Sequence, residues 1–325
     1  DPGQQRYLGM AYSSVQNVSR LMNDVLDYSN LRSGKLFFED VEFSLTATLS
    51  PVLKHYAEAA YSKGLSLIID STELAHDRVR SDPNRLRQVV DNLVSNAVKF
   101  TRFGYILVEL RSEEDVDYGI RFQMRVKDTG IGLDSHQQQH LFTTFENMDD
   151  ETSERLGGAG LGVALSQQLC LLMGGELRVS SNEQQGSCFE FHIIASPVAG
   201  NSQHPLYHDG GYQNSCWFLR LDDELLLETL ARQIRQRGGQ VVIAGSEQEE
   251  QAYSVILTET RYLGDYAEAL QNEGRPHVMA ITPPSSQALP QGNSLELTEL
   301  ALPVTQESLA LAFAQAEGDH RSHAI

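Results

Sequence analysis

The sequence predicts an α+β protein in three parts: a long leading helix, an α/β sandwich, and a small doubly wound α/β domain. Three observations predict it. Leu8, Ala11, Val15, Val18, Met22, Val25 and Ser29 recur at alternating spacings of three and four, the seam of a bundled helix. From 35 to about 197, strand patterns come in runs with helices grouped apart from them, which suits a sandwich. After a polar stretch, strand and helix patterns alternate, which implies a parallel sheet with helices on both faces.

Leu21 and Leu26 widen the seam of the leading helix, so it suits a helix bundle, and Ser33-Gly34 is a fitting stop. Such a helix cannot bury its face alone and needs a partner helix or a second chain. A strand over 35–45 is expected next, then a helix to about Lys63 and strands at 65–70 and 79–81. Asp82-Pro83 opens another helix, with Asp as cap and Pro in a first turn that needs no N–H. It runs to about Lys99. Strands follow at 104–111 and 120–127, then a Gly-rich loop from Asp128. A second Gly-rich stretch, 157–162, leads into a helix ending near Met173. A hairpin over 176–181 and 187–194 closes the domain. Residues 198–214 read as a linker. Beyond it come strands at 216–221, 240–244, 254–257, 278–281 and 300–302, with a helix over 223–237. The boundaries are then 1–34, 35–197, 198–214, 215–318 and a tail over 319–325.

Composition narrows the function. With 44 acidic against 25 basic residues the net charge is −19, which disfavours nucleic acid or an anionic membrane as partner. No run approaches the roughly 18 apolar residues of a membrane span. Three scattered cysteines offer neither a disulfide framework nor a zinc site, and a reducing cytoplasm is the expected compartment. The chain begins at Asp1 and reads as a piece of something longer, so any membrane link is expected through upstream segments.

The middle domain carries the chemistry. On the helix over 83–99, Gln88, Asn92, Asn96 and Lys99 share a face, opposite the apolar Val89, Val90, Leu93, Val94 and Ala97. Two amides one turn apart offer hard carbonyl oxygens of the kind magnesium accepts, and a lysine adds a point charge toward phosphate. On spacing alone, a solvated polar face explains the same pattern. Asp128-Thr129-Gly130-Ile131-Gly132 follows a strand; a carboxylate there can accept from an exocyclic amine such as that of adenine. Gly157–Gly162 feeds a helix N-terminus, an arrangement that cradles phosphate. Between these glycine stretches a long segment with Phe142, Phe145 and Arg155 has the length of a functional lid.

Taken together, these stretches resemble the ATP-binding domain of sensor histidine kinases. Asp91 to Thr101 resembles the asparagine box; Asp128–Gly132, the first glycine box; Leu141–Phe145, the phenylalanine box; Gly158–Gly162, the second glycine box; and Gly186-Ser187-Cys188-Phe189, the final G-[ST]-x-F turn. The wider family, the Bergerat or GHKL fold, is shared with gyrase, heat-shock chaperones of the ninety class and the MutL proteins. Leu26 to Leu36 is similar to the second dimerisation helix of hybrid histidine kinases, where a four-helix homodimer bundle covers the seam.

The resemblance implies residue roles. Asn96 would ligate magnesium with Asn92 on the phosphate side, and Lys99 would contact phosphate. Asp128 would read the adenine amino group, with Gly130, Gly132 and Ser187 around that pocket. Arg155, Gly158, Gly160, Leu161 and Gly162 would close over the triphosphate of the substrate ATP, anchored by Phe142 and Phe145. Ala159 stands where the family has Thr. The phosphoacceptor histidine box would lie on a first dimerisation helix upstream of Asp1; the earliest histidine, His55, has none of its neighbours. The resemblance thus implies a kinase that feeds a response regulator or phosphotransfer protein, in a piece that binds ATP without phosphorylating itself. A regulatory pseudo-kinase acting through complexes with other kinases is the alternative. An ATPase of the gyrase or MutL type, with Asp91 as base, is disfavoured.

Residues 215–318 resemble a degenerate response-regulator receiver. Asp222-Asp223 looks like the acidic pair that binds magnesium. Glu259 falls where the family has its phosphorylated aspartate, Thr282 matches the switch threonine, and Leu302 replaces the lysine before Pro303. A domain so altered is expected not to take phosphate, since the lysine that offsets phosphoryl charge is gone.

Overall fold

The sheet of the first domain is built on alternating apolar residues, and two carboxylates set where its first elements begin. The computed structural model describes residues 33–115, 119–142, 159–198, 211–213, 215–246, 253–266, 276–284 and 297–322, with 15, 22, 25–27 and 29–31 of the leading helix. Strand β1 (Val41–Ser44) leads into α1 (Leu45–Ser62), and β2 (Ser66–Leu74) and β3 (Arg78–Ser81) lead into α2 (Pro83–Phe100). Buried Asp77 accepts from Ser44 Oγ at 2.6 Å and Thr46 N at 2.8 Å, which fastens the start of α1. Asp82 caps α2 as expected, taking the Asn84 and Arg85 N–H groups on Oδ1 at 2.9 and 3.0 Å.

The expected strand over 35–45 is corrected to Val41–Ser44. Its partner β3 ends at Ser81, opposite Val41, so residues before Val41 have no ladder to join. Glu39 N instead donates to Asp82 Oδ2 at 2.9 Å. Leu45 belongs to the helix, because Ser44 Oγ accepts from Ala47 N and ends the strand.

Strands β4 (Tyr105–Asp115) and β5 (Gly119–Asp128), helices α3 (Ser135–His140) and α4 (Ala159–Leu172), and strands β6 (Glu176–Asn182) and β7 (Gly186–Pro197) complete the domain. The seven-stranded sheet runs β1-β3-β7-β5-β4-β2, with β6 beside β7. Only the β2–β4 pair is parallel. Every second residue of β5 and β7 (Phe122, Met124, Val126; Phe189, Phe191, Ile193) is buried against one helical layer that includes Leu49 and Leu53 of α1, Leu93 of α2 and Leu169 of α4. The other face bears charge: Arg125 pairs with Glu109 and Glu190, each at 3.1 Å.

The second domain is a parallel five-stranded sheet, β12-β11-β10-β8-β9, from β8 (Cys216–Arg220), β9 (Gln240–Ile243), β10 (Val255–Glu259), β11 (His277–Thr282) and β12 (Leu297–Ala301). This is the doubly wound order that begins in the middle and reverses direction. Helices α5 (Glu224–Gln236) and α6 (Gln306–Ser322) and a 3-10 helix over Thr260–Tyr266 flank it. Tyr212, from the stretch read as linker, is buried here with its ring centroid 5.0 Å from Trp217 and 4.7 Å from Phe313.

The two domains share a core. Ile68, on the face of β2 turned away from the first domain's helices, is buried within the apolar cluster that holds Leu230 and Ile234 of α5. Gln233 Nε2 donates to Ile69 O at 3.3 Å, and Arg232 pairs with buried Asp70 at 3.2 Å. Helix α5 thus covers the outer face of the edge strand β2. Among the described residues no helix is long and apolar enough to cross a membrane.

Candidate nucleotide site

Helix α2 joins the two glycine stretches. Its apolar side (Leu86, Val89, Val90, Leu93, Val94 and Ala97) is buried, and the amide side faces α4. Asn92 and Asn96 are each only 8% exposed, so the reading of a merely solvated face does not hold. Buried amides need partners. Asn92 Nδ2 donates to Ser166 Oγ on α4 at 3.0 Å, and Asn96 Nδ2 approaches Asn92 Oδ1 at 3.5 Å. Asn96 therefore turns an amide N–H inward, toward Asn92. Gly162 lies against Asn92: a Cβ there would stand 2.1 Å from Asn92 Oδ1. Any larger residue at 162 would displace the Asn92 amide or push the α4 N-terminus off α2. Lys99 is exposed on the same helix, its ammonium 4.9 Å from the Phe100 ring centroid.

At the other end of α2, Phe100 O accepts from Ile131 N at 3.4 Å, which ties the helix to the first glycine loop. Asp128 ends β5, only 5% exposed. Gly130 N and Ser187 N both donate to its Oδ1, at 2.8 and 3.3 Å, so among the described residues Oδ2 is the oxygen left to a ligand. Burial pushes the Asp128 carboxyl up from the usual range, and these two N–H groups oppose the shift. A Cβ at Gly130 would meet Phe100 O at 2.6 Å and Asp128 Oδ1 at 2.8 Å, so glycine is required for the turn to close around the carboxylate. Gly132, at φ +68, continues the loop.

The structure thus brings Asn92, Asn96, Gly162, Asp128, Gly130 and Ser187 together around α2. Phe142 is half-buried against the core. Gly160 lies in the first turn of α4. Phe145, Arg155 and Gly158, and the side chain of Leu161, lie outside the described residues. Asp91 turns away from this site, accepting from Tyr56 of α1 at 2.9 Å. Sequence reasoning missed Ser166. Its signal was present: a lone hydroxyl in an apolar helix, one turn beyond Gly162 and so on the same face. Thr129 was also missed; its Oγ1 donates to Phe103 O at 2.9 Å and accepts from Tyr105 N at 3.0 Å, locking the loop to the start of β4.

Residues 81–197 match the family described as histidine kinase-, DNA gyrase B- and HSP90-like ATPase. The central domain thus carries an ATPase module of this family. The chain is 39% identical over 194 residues to the signal transduction histidine-protein kinase BarA of Escherichia coli K12, covering 59% of this chain and 21% of that protein. It is 40% identical over 191 residues to the sensor protein GacS of Pseudomonas syringae pv. syringae, covering 58% and 21%. The chain thus spans about a fifth of the length of these relatives. The crystal structure of full-length ShkA in complex with AMPPNP shares the fold at TM-score 0.70 and 23% identity, over 96% of this chain and 65% of that one. That likeness in fold extends beyond the central domain into the doubly wound domain.

In the doubly wound domain, Asp222, Glu259, Thr282 and Leu302 all lie at the carboxyl ends of parallel strands, the edge where such sheets carry their sites. Asp223 does not join them. It is the N-cap of α5, its Oδ1 accepting from Leu225 N and Leu226 N at 3.1 Å each. Thr282 is buried, and its carbonyl accepts from Leu302 N at 2.9 Å.

Proposed function

We propose that residues 35–197 bind magnesium-ATP and deliver its γ-phosphoryl to a histidine ring nitrogen on a first dimerisation helix outside this chain. In this reading the chain belongs to a dimeric hybrid sensor kinase of the cytoplasm that feeds an aspartate of a response regulator or phosphotransfer protein. The observation that carries it is the meeting of α2 and α4, where the buried Asn92 amide is held by Ser166 and crowded by Gly162. A solvated helix face has no need of such packing.

Asn96, with its carbonyl available, and Asn92 beside it are hard oxygen donors that fit magnesium. The ion, when bound, offsets the charge of the triphosphate. The chain's own residues do the rest by positioning. Asp128 Oδ2 accepts the adenine amino group while Oδ1 stays fixed by Gly130 and Ser187. The glycine backbone entering α4 presents N–H groups to phosphate, and Lys99 adds charge from the end of α2. Arg155, Gly158, Gly160, Leu161, Phe142 and Phe145 would form the lid. The attacking nitrogen comes from the phosphoacceptor histidine, so this domain need not supply a nucleophile. Residues 215–318 serve, in this reading, as a receiver-like module that does not take phosphate and stays docked on β2.

Calorimetric titration of magnesium-ATP into the chain, beside Asn96→Ala and Asp128→Asn, tests the site. Binding by the parent chain and its loss in both folded variants is the expected result. No binding by a folded parent chain would overturn it in favour of a regulatory pseudo-kinase.

A further inference from the structure

The resemblance to receivers implies a magnesium ion between the acidic residues at the carboxyl edge of the second sheet. The donors present do not fit one. Asp223 is committed to the first turn of α5. That leaves Asp222 and Glu259, and the protein's own side chains and backbone engage all four of their oxygens. Arg261 Nη1 lies 2.8 Å from Asp222 Oδ2, and its Nε donates to Glu259 Oε2 at 2.7 Å, with Nη2 on the same oxygen. Tyr262 Oη donates to Asp222 Oδ1 at 2.5 Å, and Asp222 N donates to Glu259 Oε1 at 2.8 Å. Both donor residues come from the 3-10 helix that directly follows Glu259. The Arg220 guanidinium carbon stacks 4.1 Å from the Tyr262 ring centroid, and Arg220 pairs with Asp265 at 2.8 Å at the far end of that helix.

We infer that Arg261 and Tyr262 are an internal counter-ion that replaces the divalent cation of this pocket, so the domain holds its carboxyl-edge loop without metal. The chemistry favours it. A guanidinium offers a fixed fork of donors that matches two carboxylates, and its charge does not titrate near neutral pH. A divalent ion entering here would have to displace a guanidinium already bound to both acids. Such a counter-ion deepens the proposed reading of 215–318 as a module that does not take phosphate, and rests on the ion pairs themselves.

The test is manganese binding to the whole chain without nucleotide, read from the loss of the free-ion paramagnetic signal. The variants are Asp222→Asn, Arg261→Ala, Arg261→Lys, Arg261→Ala with Tyr262→Phe, and Arg261→Ala with Asp222→Asn. Arg261 is a surface side chain, and circular dichroism confirms the fold of each. The parent chain and Arg261→Lys should show no Asp222-dependent site. Arg261→Ala or its Tyr262→Phe double variant should gain one, at least about tenfold tighter than any weak surface binding, and Asp222→Asn should abolish it. A parent chain that already binds manganese through Asp222, or alanine variants that gain nothing, would overturn the inference. Radiolabelling of the parent chain by acetyl phosphate on Glu259 or Asp222 is a separate readout. It would overturn the phosphate-refractory reading whatever the manganese result.

Discussion

Asn92 on α2 and Ser166 on α4 are joined by a buried hydrogen bond of 3.0 Å, across which the asparagine box and the second glycine box meet. The bond fixes which way the Asn92 amide points: N–H toward α4, carbonyl toward Asn96. Ser166 is therefore a positioning residue for the proposed site.

Removing that hydroxyl should loosen the amide without breaking the fold. Ser166→Ala is expected to weaken magnesium-ATP binding roughly fivefold, the worth of about 1 kcal/mol for one hydrogen bond. Calorimetry checks it, and an unchanged affinity would mean that Asn92 is held by packing alone.

Asp128 sets ligand binding against stability. Because Gly130 N and Ser187 N both occupy Oδ1, Asp128→Asn must keep its carbonyl there and turn its NH2 to the ligand. A donor then faces the adenine amino donor, and ATP affinity should fall by roughly a hundredfold. Stability should move the other way. The folded-state carboxyl is raised above 3.8 by burial, so the folded protein holds its proton longer than the unfolded chain. Wild-type stability therefore drops as pH rises from 3.8 through the raised value, and the cost of the buried charge is complete above it. The asparagine variant lacks this slope and should be at least as stable at neutral pH by denaturant unfolding.

His192 on β7 gives a slope of the opposite sign. Burial, and then Arg121, hold its imidazole below the usual 6.5. The unfolded chain takes up the proton first, so this contribution is complete above 6.5 and declines as pH falls below it toward the depressed folded value. His192→Gln should flatten stability in that window. Parallel curves for the two proteins would refute the assignment.

The contact between domains predicts that a residue's environment depends on the far end of the chain. Ile68 is 2% exposed, beneath α5. In the whole chain Ile68→Asp should cost about 3 kcal/mol or more, by burying a charge. In a chain ending at 198 the same substitution lies on an open face and should cost less than about 0.5 kcal/mol. Equal costs in both would show that the two domains do not stabilise each other.

Local sequence made much of this legible. Asp82-Pro83 announced the start of α2 because cap and first-turn chemistry act within a few residues. The alternation of β5 and β7 announced their buried faces for the same reason. The glycine stretches and the amide ladder of α2 marked the candidate nucleotide site, and a family match over 81–197 bears out the resemblance. Residues 35–40 alternate like a strand but form none, because a ladder needs a partner and where β3 ends is not written in those residues.

Other features depend on pairs that meet only after folding. Ser166 reaches Asn92 across 74 positions of sequence, and Gln233 reaches Ile69 across 164. Whether Ile68 faces water or a core depends on where α5 docks. Whether Asp222 and Glu259 can take a metal depends on where the 3-10 helix carries Arg261. Sequence periodicity fixes which face of an element is apolar and which residue types could do chemistry there. Only packing decides which faces meet, and so which amides are aimed, which strand edge is covered and which acids are already neutralised.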